Sequence, residues 1–277
     1  MGYETLAEVE ALAAKARRYE YVAFSRTITA TGGGQAVLRC MGAGGGGASA
    51  SNGRGGNGGT VAAKTITVEA GDQLVVTIPA GGARGASSQP GSAGGTLTIM
   101  RGGTTLISIP GGKGGPISAT PTNNAVPTGA DWHVLGGLGG NGAYSGGGGA
   151  MIVDGGTVAG RGGNVAYSGG GGALGNGSDT GAAGGGSLTH ATGSVPGDGF
   201  LTPEMSVLRL ALPMHVAPYY NGSATVPGSA GGFGGGSGSG SGTAGAGGFG
   251  GGGGGGGTTA GAGGQGFVTI EWIGGAA

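Results

Sequence analysis

The feature that most constrains this chain is a run of eight consecutive glycines at residues 250–257. Shorter runs of four occupy residues 44–47, 146–149 and 169–172, and glycine accounts for 82 of the 277 residues. Glycine loses more conformational freedom on folding than any other residue, so a chain this rich in it is costly to order. An ordered structure is therefore expected only if chain segments lie so close together that no Cβ fits between them.

Three architectures use this much glycine. Collagen needs glycine at every third residue and about 15–20% Pro or more, but this chain has 11 prolines and no such register. Disorder is the compositional alternative. The third is a bundle of extended polyglycine-II strands, with about three residues per turn and no internal hydrogen bonds, whose backbone groups pair between strands. The sequence favours this bundle, with residues 250–257 in its interior and Gly-Gly-X strands on its surface.

Charge, cysteine content and hydropathy limit the partners and the cellular route that we expect for this chain. The 12 basic and 12 acidic residues balance, so the chain has no long-range attraction to nucleic acid or to an anionic membrane. Cys40 is the single cysteine, so an intramolecular disulfide is excluded. We expect Cys40 to be buried as a small hydrophobic side chain. The sequence has no apolar run of about 18 residues and no signal peptide. We therefore expect synthesis in a cytoplasm, no membrane insertion and no export by the general route.

An amphipathic helix is predicted over residues 5–19. Thr5 and Glu8 form a capping box, and basic residues follow where a helix C-terminus favours cations. The helix is too short to be stable alone, so its apolar stripe must pack on something. It is either a lid on its own domain or a device for attachment or oligomerisation that packs on sister copies or on a larger assembly. The stripe consists of Leu6, Val9, Leu12, Ala13 and Ala16.

From Tyr21 onward the apolar period changes to two, which predicts strands. A final strand at 267–273 must return to the first sheet, because a lone strand needs a partner. Two hairpins are predicted, one with its turn at 70–72 and one with its turn at 101–103. The predicted strands are 21–31, 35–41, 65–69, 73–79, 96–100, 104–109 and 267–273.

The predicted fold class is mainly β with little regular secondary structure. It combines an antiparallel sheet or sandwich framework, a bundle of polyglycine-II strands and a short N-terminal helix. Two units are predicted: the helix within residues 1–20 and a glycine-rich domain over the remainder of the chain. That domain divides into a β-rich part (21–115, with the closing strand at 266–273) and a glycine bundle with loop inserts (116–265).

The bulky side chains of the glycine-rich region lie mainly in three inserts, at residues 116–135, 187–195 and 196–226. A 23-residue repeat also places Tyr144 and Tyr167 at equivalent positions. Side chains of this size cannot enter a bundle that has no room for Cβ atoms, so they must collect at its ends. Loops on rigid scaffolds commonly carry binding function. The candidate contact residues are Trp132, His133, Tyr144, Tyr167, His190, Phe200, His215, Tyr219 and Tyr220.

No catalytic or metal-binding pattern is present in the sequence. The three histidines lack partners at metal-ligand spacing, and the acidic residues are scattered, so none is paired for acid–base chemistry. Matches to Gly-x-Gly-x-x-Gly carry no information in a chain this rich in glycine. The Arg-Gly-Gly triplets at Arg54, Arg101 and Arg161 are far apart. We therefore expect no enzyme, no metal and no cofactor.

The order of these segments resembles the glycine-rich domains of bacteriophage tail and tail-fibre proteins. The resemblance rests on residues 36–43 running into four glycines, a hairpin-like stretch at 64–79 followed by 81–83, and a last strand within 263–270. It covers roughly residues 21–273. The glycine bundle is also similar to that of the receptor-binding adhesins at the fibre tips of T-even-like phages, although this chain differs from them by opening with a capped helix.

The resemblance implies a phage tail-tip or tail-fibre protein of the virion that recognises a bacterial surface receptor through loops on a rigid scaffold. The receptor class stays open between a pilus, a polysaccharide and an outer-membrane protein. The implied partners are other tail proteins and sister copies, and such proteins are commonly trimers. A purely structural tail or baseplate component is the alternative, and a glycine-rich RNA-binding protein is a weaker one.

Overall fold

The computed structural model describes residues 17–140, 147–148 and 243–274. These residues form nine β-strands, and none of them lies in an α-helix. Within the described ranges there is accordingly no helix long and apolar enough to cross a membrane. The strands are Arg17–Val22 (β1), Arg26–Thr29 (β2), Gly34–Met41 (β3), Val61–Val68 (β4), Gln73–Thr77 (β5), Leu97–Arg101 (β6), Thr104–Ile109 (β7), Trp132–Val134 (β8) and Phe267–Ile273 (β9).

The strands form two antiparallel sheets that enclose one hydrophobic core. The five-stranded sheet has the order β1-β9-β3-β4-β8, and the four-stranded sheet has the order β2-β5-β6-β7. Alternate residues of each strand point inward, so that Leu38 and Ile270 of one sheet and Ile99 of the other are fully buried in the same core. The mainly β, antiparallel class predicted from the sequence is confirmed.

The closing strand and one hairpin are also confirmed. β9 lies between β1 and β3 and therefore brings the C-terminal residues back to the first sheet. β6 and β7 pair as a hairpin through Gly102 and Gly103, whose φ angles are 55° and 80°. Positive φ at both central residues defines the turn that matches the twist of a two-residue hairpin, and glycine adopts it without steric cost.

The predicted hairpin with its turn at 70–72 is wrong. β4 pairs with β3 and β8 in the larger sheet, whereas β5 pairs with β2 and β6 in the smaller one. The turn crosses between the sheets and is held by Ala30, whose N–H donates to Asp72 and whose carbonyl accepts from Gly71, both at 2.9 Å. The alternating apolar residues do face the core, but from opposite sides of it.

Two boundaries near the N-terminus also differ from the prediction. The single strand expected at 21–31 is divided into β1 and β2, which belong to different sheets. Residues 17–19, expected at the end of the helix, lie in β1 because β9 offers them a free edge to pair with. The remainder of the predicted helix, with Leu6, Val9, Leu12, Ala13 and Ala16, lies outside the described residues.

A buried carboxylate connects the three adjacent strands β1, β9 and β3. Glu271 on β9 is only 2% exposed and accepts hydrogen bonds of 2.7 Å from Arg17 on β1 and from Arg39 on β3. A buried charge needs such partners, because removing it from water is costly. Cys40 on β3 is buried in the core as predicted, and this burial raises the pKa of its thiol.

On one side of the sandwich the strands continue into glycine-rich tracts that hydrogen-bond to each other. β3 runs directly into residues 42–49, named the central tract here. Its N–H groups repeat their direction every third residue, with N···O distances of 2.8 to 3.1 Å. The donors and their acceptors are Gly42, Gly45 and Ala48 to residues 60, 57 and 54; Gly44 and Gly47 to residues 264 and 261; and Gly46 and Ser49 to residues 92 and 89.

The carbonyl groups of the central tract follow the same three-residue repeat toward three further tracts. Ala43 and Gly46 accept from residues 112 and 115, Gly44 and Gly47 from 82 and 85, and Gly45 and Ala48 from 253 and 256. The central tract thus has six neighbours, and each neighbour is also hydrogen-bonded to the next. In order around this ring they are residues 53–60, 110–117, 89–95, 80–86, 260–266 and 250–256.

Close backbone contact explains why the tracts are made of glycine. A Cβ built on Gly46 would overlap the carbonyl oxygen of Ala83, and one on Gly253 would overlap that of Gly261. Residues 250–256 are buried, in agreement with the prediction that the eight-glycine run lies inside. Among the described residues, 42–49 is the tract bonded to six others, and residues 250–256, which belong to the ring around it, are themselves bonded to five described segments.

Replacing Gly46 by alanine tests this packing. We expect Gly46→Ala to lower the free energy of unfolding by about 3 kcal/mol or more, because the new methyl group forces two backbones apart and breaks interstrand hydrogen bonds. The measurement is urea-induced unfolding followed by circular dichroism.

The matched control is Gly33→Ala. Gly33 is exposed, its φ is not in the left-handed region, and an added Cβ would lie 3.7 Å from its nearest neighbour, the carbonyl oxygen of Val68. This change should alter the free energy of unfolding by no more than about 1 kcal/mol, in the stabilising direction. Equal and small effects of the two substitutions would contradict the tight packing of the central tract.

Candidate functional site

The turns that join the tracts lie together at the end of the bundle away from the sheets. We call this region the distal surface, and it comprises residues 49–53, 86–89, 117–119 and 257–259. Backbone bridges connect its segments, since Ser49 pairs with Gln89 and with Gly256, and Gly53 pairs with Ile117. The N–H of Ser118 also donates to the carbonyl of Asn52 at 3.4 Å.

Ser49 connects its own turn to Gln89 and to the tract residues that adjoin two of the other turns, Gly85 and Ala260. Its hydroxyl is buried, donates to the carbonyl of Gly85 at 2.7 Å and accepts from the N–H of Ala260 at 2.9 Å. Its own N–H donates to the carbonyl of Gln89 at 3.1 Å. A buried hydroxyl that is fully hydrogen-bonded favours one arrangement of its neighbours, so the turns of the distal surface have a fixed geometry.

The exposed side chains of the distal surface are uncharged, and most of them are polar. Ser88 and Ser118 have φ angles of 57° and 61° and are the non-glycine residues with positive φ in the described ranges. This left-handed conformation is uncommon for residues with a Cβ, and such positions concentrate at functional sites. The exposed polar residues are Ser51, Asn52, Ser87, Ser88, Gln89, Ser118 and Thr258.

From the distal surface the chain runs back toward β8 along residues 119–128. Pro121, Asn124 and Pro127 are buried, while the two residues between each pair are exposed. This three-residue period is typical of an extended polyproline-II-like segment. One face of the segment therefore lies against the bundle, and the other presents Thr, Asn and Val side chains to solvent.

Two buried asparagines attach this segment to the bundle. The Asn57 amide donates to the carbonyl oxygen of the Asn124 side chain at 2.9 Å and to the backbone of Thr122 at 2.8 Å. Asn124 in turn donates to the carbonyl of Gly58 at 2.7 Å and accepts from the N–H of Lys113 at 3.1 Å. These contacts fix residues 119–128 at the side of the bundle.

Charge is unevenly distributed between the two ends of the described structure. The tracts and turns of the bundle carry the cations Arg54, Arg84 and Lys113, and none of their described residues is acidic. Arg54 donates to the carbonyl of Ala119 and Lys113 donates to the hydroxyl of Thr122. The described acidic residues belong to the sheets and their loops, so the distal surface itself is neutral or weakly positive.

Two of the predicted contact residues are described, and they lie away from the distal surface. Trp132 and His133, expected in a loop, belong to β8 at the edge of the larger sheet, paired with Ala63 and Ala62. Trp132 is half-buried and packs with a cluster on that sheet that includes Met41. His133 is exposed. The short strand was not recognised because three residues are too few to show a period.

The other predicted contact residues, Tyr144, Tyr167, His190, Phe200, His215, Tyr219 and Tyr220, lie outside the described residues. In the part of the chain that is described, no three His, Cys, Asp or Glu residues are placed to hold a metal ion. The absence of a catalytic set and of a cofactor stays a prediction. No protein-family model matches this chain, and a search of curated proteins found no match to it.

The sequence contains a signal for the distal surface. Ser-Asn-Gly at 51–53 and Ser-Ser-Gln-Pro at 87–90 interrupt glycine-rich stretches with residues that favour turns. Turn residues between two tracts mark the points at which the chain reverses. Residues 51–53 and 87–90 therefore mark chain reversals, and both reversals lie at the same end of the bundle.

The asparagine contacts give a second testable prediction. We expect Asn124→Ala to lower the free energy of unfolding by about 2–3 kcal/mol, because it removes the side-chain partners of the Gly58 carbonyl and the Lys113 N–H and one of the two acceptors of the Asn57 amide. Asn123→Ala is the matched control, since Asn123 is the exposed neighbour in the same segment, and it should change stability by no more than about 0.5 kcal/mol. Comparable losses in urea unfolding would show that the asparagine pair does not hold the segment.

Proposed function

We propose that the tracts form a polyglycine-II bundle. Support comes from the three-residue repeat of hydrogen-bond directions along 42–49 and from the closed ring of six neighbours around it. A polyglycine-II strand has about three residues per turn and leaves its backbone groups free for neighbouring strands. The bundle is then a rigid rod that begins at the β-sandwich.

We further propose that the protein is a tail-tip or tail-fibre component of a bacteriophage particle that recognises a receptor on the bacterial surface. The observation that carries this proposal is the distal surface, where turns fixed by buried hydrogen bonds present exposed polar side chains at the end of a rigid support. Preorganised surfaces bind with a smaller entropic cost than mobile ones. The sandwich end is then free for attachment to the particle.

The remaining parts of the proposal concern attachment. Arg17, the first described residue, pairs with Ile273 at the end of the larger sheet opposite the distal surface, and a connection to other tail proteins or to sister copies is proposed at that end. The resemblance to tail-fibre proteins favours a trimer. The aromatic candidates outside the described residues are proposed to extend the contact surface, and the receptor is a pilus, a polysaccharide or an outer-membrane protein.

A purely structural tail or baseplate component remains the second candidate, because a rigid rod between two surfaces is also a spacer. RNA binding is the weaker candidate. It would rest on Arg54, Arg84 and Lys113, but two of these are engaged in contacts within the bundle. RNA affinity that falls steeply with salt would favour it over both.

Competition for adsorption tests receptor recognition. Purified protein should block attachment of the parent phage to host cells. Asn52→Trp and Ser87→Trp should raise the half-blocking concentration at least tenfold, because each places a bulky ring on the distal surface. Thr104→Trp, on an exposed residue beside the β6–β7 turn at the opposite end, should change it less than twofold. If the wild-type protein neither binds cells nor blocks attachment, receptor recognition is contradicted and the structural spacer role is favoured.

A further inference from the structure

A groove runs along the side of the β-sandwich where its two sheets meet at β1 and β2. β1 ends the strand order of the larger sheet and β2 ends that of the smaller one, so the groove lies between an outer strand of each. It has a volume of about 420 Å³, and its wall includes Arg18, Glu20 and Arg26 together with Thr27 and Thr29. The groove therefore belongs to the sandwich and is separate from the distal surface.

Glu20 holds the two arginines of this groove in position. One oxygen of its carboxylate accepts a hydrogen bond of 2.7 Å from Arg26, and the other accepts one of 3.3 Å from the indole N–H of Trp272. Trp272 is fully buried, and the centre of its ring lies 5.7 Å from the guanidinium carbon of Arg18, which is within the range of a cation–π contact. Both guanidinium groups are therefore preorganised.

Positive charge exceeds negative charge in this groove. Arg18 and Arg26 face the single carboxylate of Glu20, and their side chains are 45% and 47% exposed. Arg18 lies 3.9 Å from Glu20, which is too long for a hydrogen bond. A guanidinium carries five N–H donors in a planar fork that matches a carboxylate. Arg18 is therefore placed to pair with a further carboxylate.

The neighbouring surface has the same excess of positive charge. On the outer face of the larger sheet, Arg17 and Arg39 share the single carboxylate of Glu271, each at 2.7 Å, so here too two cations face one anion. Opposite charges are favoured across an interface, and like charges are costly. The charge of this side of the sandwich thus favours an acidic partner over a second copy of the same face.

The spacing of the hydroxyl groups favours an extended segment over a small anion. Thr27 and Thr29 are exposed and lie on either side of the buried Ile28 on β2. Two residues of a strand span about 6.6 Å, and the same interval separates the side chains on one face of an extended peptide. Because a hydroxyl group both donates and accepts hydrogen bonds, these two threonines suit the polar groups of such a peptide.

We propose that this groove binds an extended acidic segment of a neighbouring protein, whose carboxylates pair with Arg18 and Arg26. The inference rests on the proposed function, because it assigns the contact with another protein of the particle to the sandwich. It does not depend on receptor recognition by the distal surface.

Binding of a fluorescent octaglutamate peptide to the full chain, followed by fluorescence anisotropy at low salt, tests this partner chemistry. Octaglutamate should bind saturably and octaglutamine should not. Arg18→Gln and Arg26→Gln should each raise the dissociation constant about threefold or more, the effect of losing one exposed ion pair. Arg18→Gln keeps the hydrogen bond between Arg26 and Glu20, so its effect is separable from a loss of folding. Thr27→Glu should weaken binding in the same way, because it adds a negative charge to the groove.

The matched control is Arg84→Gln, which removes an exposed cation of the bundle and should change the dissociation constant less than about 1.5-fold. Three results would overturn the proposal. Octaglutamate that binds no better than octaglutamine would exclude an acidic partner. An equal loss from Arg84→Gln and Arg18→Gln would show diffuse charge attraction without a site. Inorganic phosphate that displaces the peptide as well as unlabelled octaglutamate does would show a small-anion site.

The peptide assay and the adsorption assay fail independently. The peptide assay uses purified protein and no host cells, so a protein that does not block phage adsorption can still bind octaglutamate. Conversely, a groove that does not bind the peptide leaves receptor recognition by the distal surface unaffected.

Discussion

Hydrogen bonding between bare backbones is the interaction on which this structure depends. The central tract at 42–49 carries few side chains that could form a core, yet its backbone groups pair with six neighbouring tracts. Each pairing requires an approach that a Cβ would block, as the overlap at Gly46 illustrates. The conformational entropy lost by ordering so much glycine must therefore be offset by many interstrand hydrogen bonds made at once.

The β-sandwich supplies what the glycine tracts lack. Its core, with fully buried residues such as Leu38 and Trp272, provides hydrophobic stabilisation of the ordinary kind. Strands of both sheets run directly into tracts, so the sandwich also fixes where each tract begins. Order then extends along the bundle to the turns held by Ser49, which links the hydrophobic core to the geometry of the distal surface.

Much of the fold could be predicted from the sequence, because period-two alternation and turn chemistry are local signals. β9 and the β6–β7 hairpin were predicted well for this reason. The pairing of strands was harder to predict. The alternation in β4 and β5 showed which residues face the core, but not that the two strands belong to different sheets. Local patterns do not encode which edge a strand will meet, and that also explains the strand at Arg17–Val22.

The distal surface was missed for a different physical reason. The predicted contact residues were mainly aromatic, because bulky side chains often anchor a binding partner. This end of the bundle instead presents short polar side chains such as Asn52 and Ser88. Residues 250–256 are buried, as predicted, but glycine content alone did not reveal that 42–49 has the central position. A tract becomes central through the number of its neighbours, and 42–49 reaches that position because it continues β3, an inner strand of the larger sheet.

Residue-resolved amide hydrogen exchange tests the central claim most directly. If backbone pairing orders the bundle, the amides of Gly44 to Ser49 and of Gly253 should exchange only through global unfolding, with an opening free energy equal to that from urea denaturation. The exposed turn glycines Gly102 and Gly103 should exchange rapidly in the same sample. Tract amides that exchange as fast as those of the turn would contradict the account, because the glycines would then be unpaired linkers.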